Sequence, residues 1–209
     1  ILQPLINNIA AAYNEEQPDK YSEDFWAARA ARIFNKNGNV DRGIFSIYLF
    51  NIVHLKKGEA IFQDAGVPHA YLEGLNIEIM ANSDNVLRGG LTTKHIDVKE
   101  LLKHVKAEAT YPKIIAGKQL NKYEVIYDNP AKEFDICMIE LEKGEKVNHT
   151  AVSTEILLLT DGTAVVDDGK DSIELKAGKP SVVILPGTTY SVSGKQDKAT
   201  IFRSFAPVN

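Results

Sequence analysis

One short stretch of the sequence holds two residues whose types and settings could support chemistry. His69 follows a Gly-x-Pro turn, and Arg88 stands directly before Gly89-Gly90. The proline restricts its neighbour's backbone, which helps to fix the direction of the imidazole. The paired glycines let the backbone after Arg88 approach another group closely. An imidazole can ligate a metal or transfer a proton, and a guanidinium can bind an anion or stabilise developing negative charge.

Polar residues lie between these two positions. Asn82-Ser83-Asp84-Asn85 is typical of a tight turn that is ordered by bonds from side chains to the backbone. Glu78 precedes this turn and could either contribute to a site with Arg88 or pair with Arg88 to brace the loop. The residue types alone leave both interpretations open. The other four histidines are expected on the surface or in packing contacts: His54, His95, His104 and His149.

The block from Pro68 to Lys94 resembles the signature of the type I mannose-6-phosphate isomerases. It reads His-Ala-Tyr-Leu, then Glu-x-Met-Ala-Asn-Ser-Asp-Asn-Val-Leu-Arg-x-Gly-Leu-Thr-x-Lys. One departure is Thr93, where the family often has proline. A helical segment before the block, a Lys-His-Ile-Asp-Val helix after it and a terminal β domain agree with the resemblance. It thus covers nearly the whole chain and implies the carboxy-terminal half of such an enzyme.

The resemblance implies a zinc-dependent interconversion of mannose 6-phosphate and fructose 6-phosphate. The family holds one zinc with a Gln, a Glu and two His side chains. His69 matches the second His, and the other ligands have no counterpart here, so this chain is expected to supply one zinc ligand and to be inactive alone. Arg88 matches the catalytic arginine, which requires His69 and Arg88 to face one cavity. Four further residues match substrate-binding positions: Tyr71, Glu78, Asp84 and Lys94.

The elements that would position these residues follow from local patterns. Residues 1–37 show apolar spacing typical of helices, with a helix start near Ser22, and Asp97 is expected to cap a short helix. Short β-prone runs typical of strands follow in the middle segment of the chain, at 50–55, 60–63 and 75–80. Regular short runs with glycine-rich turns then extend from about Tyr123 to Phe205 and favour a sandwich or jelly roll. The predicted fold is mainly β with a helical segment, as a cupin-type jelly roll with one partial and one complete unit. The predicted domains are a helical segment, 1–49, a partial catalytic cupin unit, 50–112, and a cupin-like β domain, 113–209.

The terminal β domain has cupin-like spacing with an eroded set of metal ligands. His149 and Glu155 are retained, whereas Ala151 and Tyr190 occupy the positions of lost histidines. A stable metal site usually needs at least three protein ligands, so the domain is predicted to be a packing module. Cys137 lies in an apolar β-prone run and is expected to be a buried structural thiol.

Composition narrows the classes of partner and location. The formal net charge of −4 and the scattered basic residues argue against nucleic acid as a partner. No apolar run reaches the roughly 20 residues of a membrane span, and a single cysteine fits a reducing compartment, so a cytoplasmic location is expected. The resemblance implies a small sugar phosphate as partner, and the protein is expected to be a monomer or weak oligomer. A start at Ile1 rather than at Met suggests a fragment or processed piece.

Two other functions stay open at this point. The chain could be a non-catalytic cupin module that binds a sugar phosphate or a protein partner. It could also be a folded structural half that needs its partner half. A jelly roll that lacks strands exposes sheet edges and an apolar face, so such surfaces would require a cover.

Overall fold

A computed structural model of the protein describes residues 2–34, 38–83, 85–196 and 198–207. The chain divides into two compact units. One unit contains the chain up to Lys56 together with Ile61–Asn76 and Ser83–Lys113. The other contains Lys57–Ala60, Ile77–Asn82 and the chain from Ile114 onward. The predicted three-part division at 49 and 112 stays a prediction.

The first unit begins with helices that bury one apolar cluster. Helix α1 spans Leu2–Glu15, α2 spans Glu23–Phe34, a 3₁₀ turn spans Arg42–Ile44 and α3 spans Phe45–Leu49. The predicted start of α2 is confirmed, because the Ser22 hydroxyl accepts a hydrogen bond from the backbone N–H of Phe25 at 3.4 Å. The 3₁₀ turn and α3 lie within the predicted helical segment, 1–49, but were not predicted as separate elements. The cluster is made mainly by large side chains and is completed by small alanines of α2: Ile6, Tyr13, Phe25, Trp26, Ala27, Ala28, Ala30, Ala31, Ile44 and Ile47.

The β-prone runs of the middle segment form less strand than the sequence suggests. Of the runs 50–55, 60–63 and 75–80, only Ala60–Ile61 forms a strand, β1. The expectation of strands at 50–55 and 75–80 is wrong for this chain. A β-prone run becomes a strand only where a neighbour lies alongside to accept and donate its backbone hydrogen bonds, and intrinsic propensity does not replace that neighbour.

A short helix closes the middle segment, as predicted. Helix α4 spans Val98–His104. The Asp97 carboxylate accepts a hydrogen bond from the backbone N–H of Glu100 at 2.9 Å, which satisfies one of the free donors at the helix start. The predicted cap at Asp97 is therefore confirmed.

The second unit is made of antiparallel strands. Two sheets have the strand orders β10-β7-β12-β5-β4-β3 and β6-β11-β8-β9, and the short strands β1 and β2 lie outside them. The strands of this unit after β1 are β2 Ile114–Ile115, β3 Lys118–Gln119, β4 Glu124–Ile126, β5 Asp135–Glu142, β6 Lys146–Thr150, β7 Glu155–Asp161, β8 Ala164–Asp167, β9 Ser172–Leu175, β10 Ser181–Ile184, β11 Thr189–Gly194 and β12 Lys198–Phe205.

Both sheets contribute alternate side chains to a single apolar core. Leu157 and Leu159 of β7 and Ile201 of β12 come from one sheet, and Val166 of β8 and Val192 of β11 come from the other. Two sheets that share one core in this way form a sandwich. Within the residues that the structure describes, the strands do not close into a barrel. The fold is therefore a helical segment with antiparallel sheets, and the barrel form of the predicted jelly roll is not found.

None of the helices in the described ranges has the length and apolar character that a bilayer span requires.

Candidate functional site

The loop that precedes His69 is held in place by contacts with Lys106. The backbone N–H of Lys106 donates to the Gly66 carbonyl at 2.8 Å, and the Lys106 ammonium lies 2.7 Å from the Asp64 carboxylate. Gly66 has φ +79°, and a Cβ there would lie 2.7 Å from the carbonyl oxygen of His104. Only glycine fits this backbone and this contact. The loop is thereby fastened to the residues at the end of α4.

The His69 ring is oriented by its own turn. Its Nδ1 atom lies 2.9 Å from the Val67 carbonyl oxygen. With the proton on Nδ1, the ring donates to that carbonyl. Nε2 then keeps a lone pair that can bind a metal ion or a proton. The ring is exposed, and the Tyr71 ring meets it edge-on with centroids 6.3 Å apart. The structure thus brings together two of the predicted site residues.

His69 fits the role of a single zinc ligand. A backbone carbonyl that accepts from one ring nitrogen is the usual support for a histidine that ligates through the other. Across the described parts of the chain, no three His, Cys, Asp or Glu side chains are grouped so as to hold a metal ion. Zinc sites in proteins use three or four protein ligands. The described residues therefore provide one fitting ligand and not a complete zinc site.

The Arg88 loop packs backbone against backbone. Arg88 is half-buried, and with respect to every described residue its guanidinium makes no ion pair. Two residues later, a Cβ on Gly90 would lie 2.8 Å from the Cα of Gly43, which belongs to the 3₁₀ turn. Leu91 has φ 48°, a left-handed conformation that a leucine rarely adopts.

The remaining predicted site residues are placed as follows. Lys94 is exposed, and its backbone N–H donates to the Thr92 hydroxyl at 3.1 Å. Glu78 is exposed and belongs to the second unit. Asp84 lies outside the described residues. A cavity shared by His69 and Arg88 stays a prediction.

Glu73 is a structural residue that the sequence did not reveal. Its carboxylate accepts hydrogen bonds from Lys20 and from Arg29, which also lies over the Trp26 ring. These two bonds, with Lys20 first, lower the pKa of Glu73 below its usual value. Glu73 therefore ties the loop after Tyr71 to the helical segment. Its partners are far away in sequence, so no local signal pointed to it.

A second group of polar side chains lies inside the β-sandwich. Arg203 Nη1 donates to Glu155 Oε1 at 3.2 Å, and Arg203 Nη2 lies 3.9 Å from Glu124 Oε1. The Tyr190 hydroxyl donates to the other oxygen of Glu155. His149 Nε2 lies 3.3 Å from Glu124 Oε1, but in a geometry that makes no hydrogen bond. We call these five residues the interior polar cluster.

Burial shifts the pKa of His149, in the interior polar cluster, and of Cys137 beside it. Burial first, and Arg203 second, lower the pKa of His149 in spite of the two nearby carboxylates. Burial also raises the pKa of the Cys137 thiol to about 11. Cys137 has no exposed surface, which confirms the prediction of a buried structural thiol. Arg203 is the cation that faces Glu124 and Glu155.

Sequence reasoning found three members of the interior polar cluster and missed Glu124 and Arg203. The alternation of β12 carried the missing signal for Arg203, because Ala199 and Ile201 point inward and Arg203 follows at the same two-residue period. The pairing of β12 places Arg203 opposite Cys137 of β5. A charged residue at an inward position of a strand predicts a buried partner of opposite charge.

Comparison with known proteins finds mannose-6-phosphate isomerases among the relatives of this chain. A mannose-6-phosphate isomerase from Cryptococcus neoformans is 35% identical over 98% of this chain, which covers 48% of that protein. A second relative, from Escherichia coli, is 36% identical over 78% of this chain, and the match covers 41% of the length of that protein. The crystal structure of mannose 6-phosphate isomerase from Salmonella typhimurium, bound to fructose 6-phosphate and zinc, is 30% identical. It superposes with a TM-score of 0.72 over 97% of this chain and 49% of its own.

The chain spans about half the length of the curated relatives that it matches. No protein-family model matches it.

Proposed function

Because the chain is a homologue of the type I mannose-6-phosphate isomerases over about half of their length, we propose that it forms part of such an isomerase. In this proposal His69 is one zinc ligand and Arg88 is the catalytic arginine. Tyr71, Glu78 and Asp84 line the sugar pocket, and Lys94 binds the phosphate. The observation that carries the proposal is the similarity itself, which extends over nearly the whole chain, including the segment from Pro68 to Lys94.

The proposed reaction explains why these residue types are needed. Interconversion of an aldose and a ketose moves a proton between C1 and C2 and builds negative charge on a carbonyl oxygen. When bound, zinc supplies a Lewis acid for that oxygen. The Arg88 guanidinium is always protonated and would stabilise the same developing charge. Glu78 and Asp84 are the two carboxylates of this chain that could transfer the proton, unless the base lies in another part of the enzyme.

Charge and exposure at the loops support an anionic substrate. Neither Arg88 nor Lys94 makes an ion pair with any described residue, and in this proposal both cations bind the anion. A lysine ammonium binds phosphate as a point charge, and an arginine binds planar oxygen pairs through two donors. A sugar phosphate offers both kinds of acceptor.

The proposal also includes a cytoplasmic location and a monomeric or weakly oligomeric state. It further assigns the sandwich to the cupin type.

The first unit exposes apolar side chains that indicate a missing cover. Leu75 is 96% exposed, Tyr111 is 91% exposed and Tyr71 is 62% exposed. Loops with several large apolar side chains in water are typical of surfaces that bind another polypeptide. We propose that further polypeptide, corresponding to the rest of the relatives' length, covers these loops and supplies the other zinc ligands. The 209-residue chain alone is then inactive.

Substitution of single residues in the full-length gene product tests the proposal. Arg88→Ala should lower kcat for mannose 6-phosphate by about 10²–10³, as the loss of one charge-stabilising donor does in other enzymes. His69→Ala should lower both bound zinc and turnover, whereas His95→Ala, at an exposed histidine outside the proposed site, should change neither. Wild-type-like turnover in Arg88→Ala would contradict the proposal. Sugar phosphate binding without any turnover would favour the non-catalytic module.

A further inference from the structure

The loop that carries Arg88 rests on the 3₁₀ turn through two glycines. A Cβ on Gly43 would lie 3.0 Å from the Cα of Gly90 and 3.0 Å from the backbone nitrogen of Leu91. A Cβ on Gly90 would lie 2.8 Å from the Cα of Gly43. The nearest atoms that each Cβ would meet are backbone atoms, which cannot rotate away as a side chain can. The Asp41 carboxylate oxygen comes next, 3.1 Å from the Gly43 position and 3.4 Å from the Gly90 position. The two segments therefore approach as closely as they do only because both residues lack a side chain.

The two ends of this contact are held independently. On the 3₁₀ turn, the Asp41 carboxylate accepts a hydrogen bond from the backbone N–H of Gly43 at 2.8 Å and fixes its direction. On the loop, Leu91 packs against the apolar cluster of the helices. Its left-handed φ of 48° is unfavourable for leucine and persists where surrounding packing holds it. The loop from Arg88 to Leu91 is thus anchored at its end.

We infer that Gly43, Gly90 and Leu91 are positioning residues, whose contact fixes the place from which Arg88 reaches the substrate. This inference rests on the proposed catalytic role of Arg88. Stabilisation of developing charge requires the donor to stand close to its final position, and a displacement of about 1 Å costs about 10²-fold in rate. A Cβ on Gly43 would displace this backbone contact, two residues from Arg88, by a few tenths of an ångström.

The chain offers a clean probe and a matched control. Gly43 has no left-handed φ, so Gly43→Ala adds no backbone strain of that kind. Its Cβ would press on the backbone of Gly90 and Leu91, and on the Asp41 carboxylate oxygen at 3.1 Å. Gly89→Ala adds the same methyl group next to Arg88, but its nearest neighbour would be Leu101 Cδ2 at 4.0 Å, an ordinary contact. In the full-length gene product, Gly43→Ala should lower kcat by about tenfold or more, and KM much less. Gly89→Ala should stay within about twofold of the wild type.

A double mutant separates positioning from general damage. If Gly43→Ala acts through Arg88, it should cause no further loss of kcat when it is added to Arg88→Ala, because residues that act as a unit are not additive. Losses that multiply would overturn the inference and leave the proposed function intact. If Arg88→Ala alone is fully active, the proposed function fails instead.

Leu91→Ala keeps the inference testable even if Gly43→Ala does not fold. It removes the anchoring side chain and adds no contact. Amide hydrogen exchange at residues 88–92 should become faster, and kcat should fall with the same lack of additivity with Arg88→Ala. Faster exchange with unchanged kcat would overturn the inference, since a mobile loop would then serve catalysis equally well.

Discussion

At the scale of single residues, Arg203 is a nearly buried cation that lies beside two buried carboxylates. Its side chain is 12% exposed and faces Glu155, which is 1% exposed, and Glu124. Its guanidinium also lies 4.5 Å from the centre of the Phe205 ring. Buried carboxylates are tolerated only when a cation or hydrogen bonds compensate for lost water. The sandwich interior therefore depends on one arginine for its charge balance.

Removal of this cation should be costly. Arg203→Met keeps much of the side-chain volume but leaves two buried carboxylates without their cation, and the expected loss of unfolding free energy is about 3–5 kcal/mol. The control on the same strand is Lys198→Met. Lys198 pairs with Glu140 at 2.8 Å but is half exposed, so that loss should stay below about 1 kcal/mol. Urea unfolding followed by far-UV circular dichroism measures both, and equal losses would contradict the argument.

His149 predicts how the stability of the sandwich depends on pH. Its pKa in the folded protein is lowered, chiefly by burial and then by Arg203, while an unfolded histidine titrates near about 6.5. The unfolded chain thus binds this proton first as the pH falls. The stability contribution is complete above about pH 6.5 and is lost as the pH falls through the lowered pKa.

The matching measurement compares urea midpoints of the wild type and His149→Gln from pH 7.5 downward. Below about pH 6.5 the wild type should lose stability more steeply than the variant. Parallel curves would contradict the expectation and show that Glu124 and Glu155, which favour the protonated ring, offset its burial and the effect of Arg203.

At the scale of elements, the hairpin between β7 and β8 turns on Gly162. Its φ is +78°, and a Cβ there would lie 1.9 Å from the carbonyl oxygen of Lys198 on β12. Gly169, in the next hairpin, has a similar φ of +86° with nothing within 4 Å of its Cβ position. A side chain at either glycine would strain the backbone, but only a side chain at Gly162 would also overlap another strand. Comparison of the two positions therefore distinguishes the cost of backbone strain from the cost of steric overlap.

Alanine at these glycines should have unequal effects. Gly169→Ala should cost about 1–2 kcal/mol, because only the left-handed conformation opposes it. Gly162→Ala adds an overlap with β12 and should cost about 2–5 kcal/mol in total. Urea unfolding of both variants checks the difference, and equal costs would mean that β12 moves away from the hairpin without penalty.

Elements with local signals were predictable from the sequence, and elements that depend on distant partners were not. Ser22 and Asp97 cap their helices as predicted, because a cap bonds to a backbone N–H within the same turn. The β-prone run at 75–80 contains no strand in this chain, because strand formation needs a partner that the run cannot specify. The alternation of β12 could have revealed Arg203, but not which carboxylates it meets.

The same distinction applies to the candidate site. The turn that directs the His69 ring is local, and its Gly-x-Pro spacing was legible in the sequence. Three other contacts join residues that are far apart along the chain. They are the hydrogen bond between Gly66 and Lys106, the pairing of Glu73 with Lys20, and the close approach of Gly90 to Gly43. Such contacts follow from packing, for which single residues carry no signal.

At the scale of the whole molecule, residues 62–97 lack helix and strand wherever the structure describes them. This segment carries all of the proposed site residues, and its backbone has few regular hydrogen bonds to protect it. Segments of this kind open at low free-energy cost and are the first to be cleaved by proteases. The proposed site thus lies in the part of the chain that regular secondary structure protects least.

Limited proteolysis with thermolysin should detect this difference in the 209-residue chain. Cleavage is expected before Leu75, which is 96% exposed and lies outside any strand. Val183 provides the control, because it is 57% exposed but its backbone pairs with Ile156 in the β10–β7 ladder. Mass spectrometry of the first fragments identifies the cut. Early cleavage at Val183 would contradict the expectation, and protection of Leu75 in the full-length gene product would locate the cover.

The arginine inside the sandwich has a consequence for the conditions in which the protein can work. A bound metal ion can be withdrawn by a chelator, diluted away or replaced by a competing ion, whereas a guanidinium is joined to the backbone by covalent bonds. The counter-charge for Glu124 and Glu155 is thus made with the polypeptide and is present from synthesis onward. Fluctuations in cellular trace-element supply would leave this charge balance untouched.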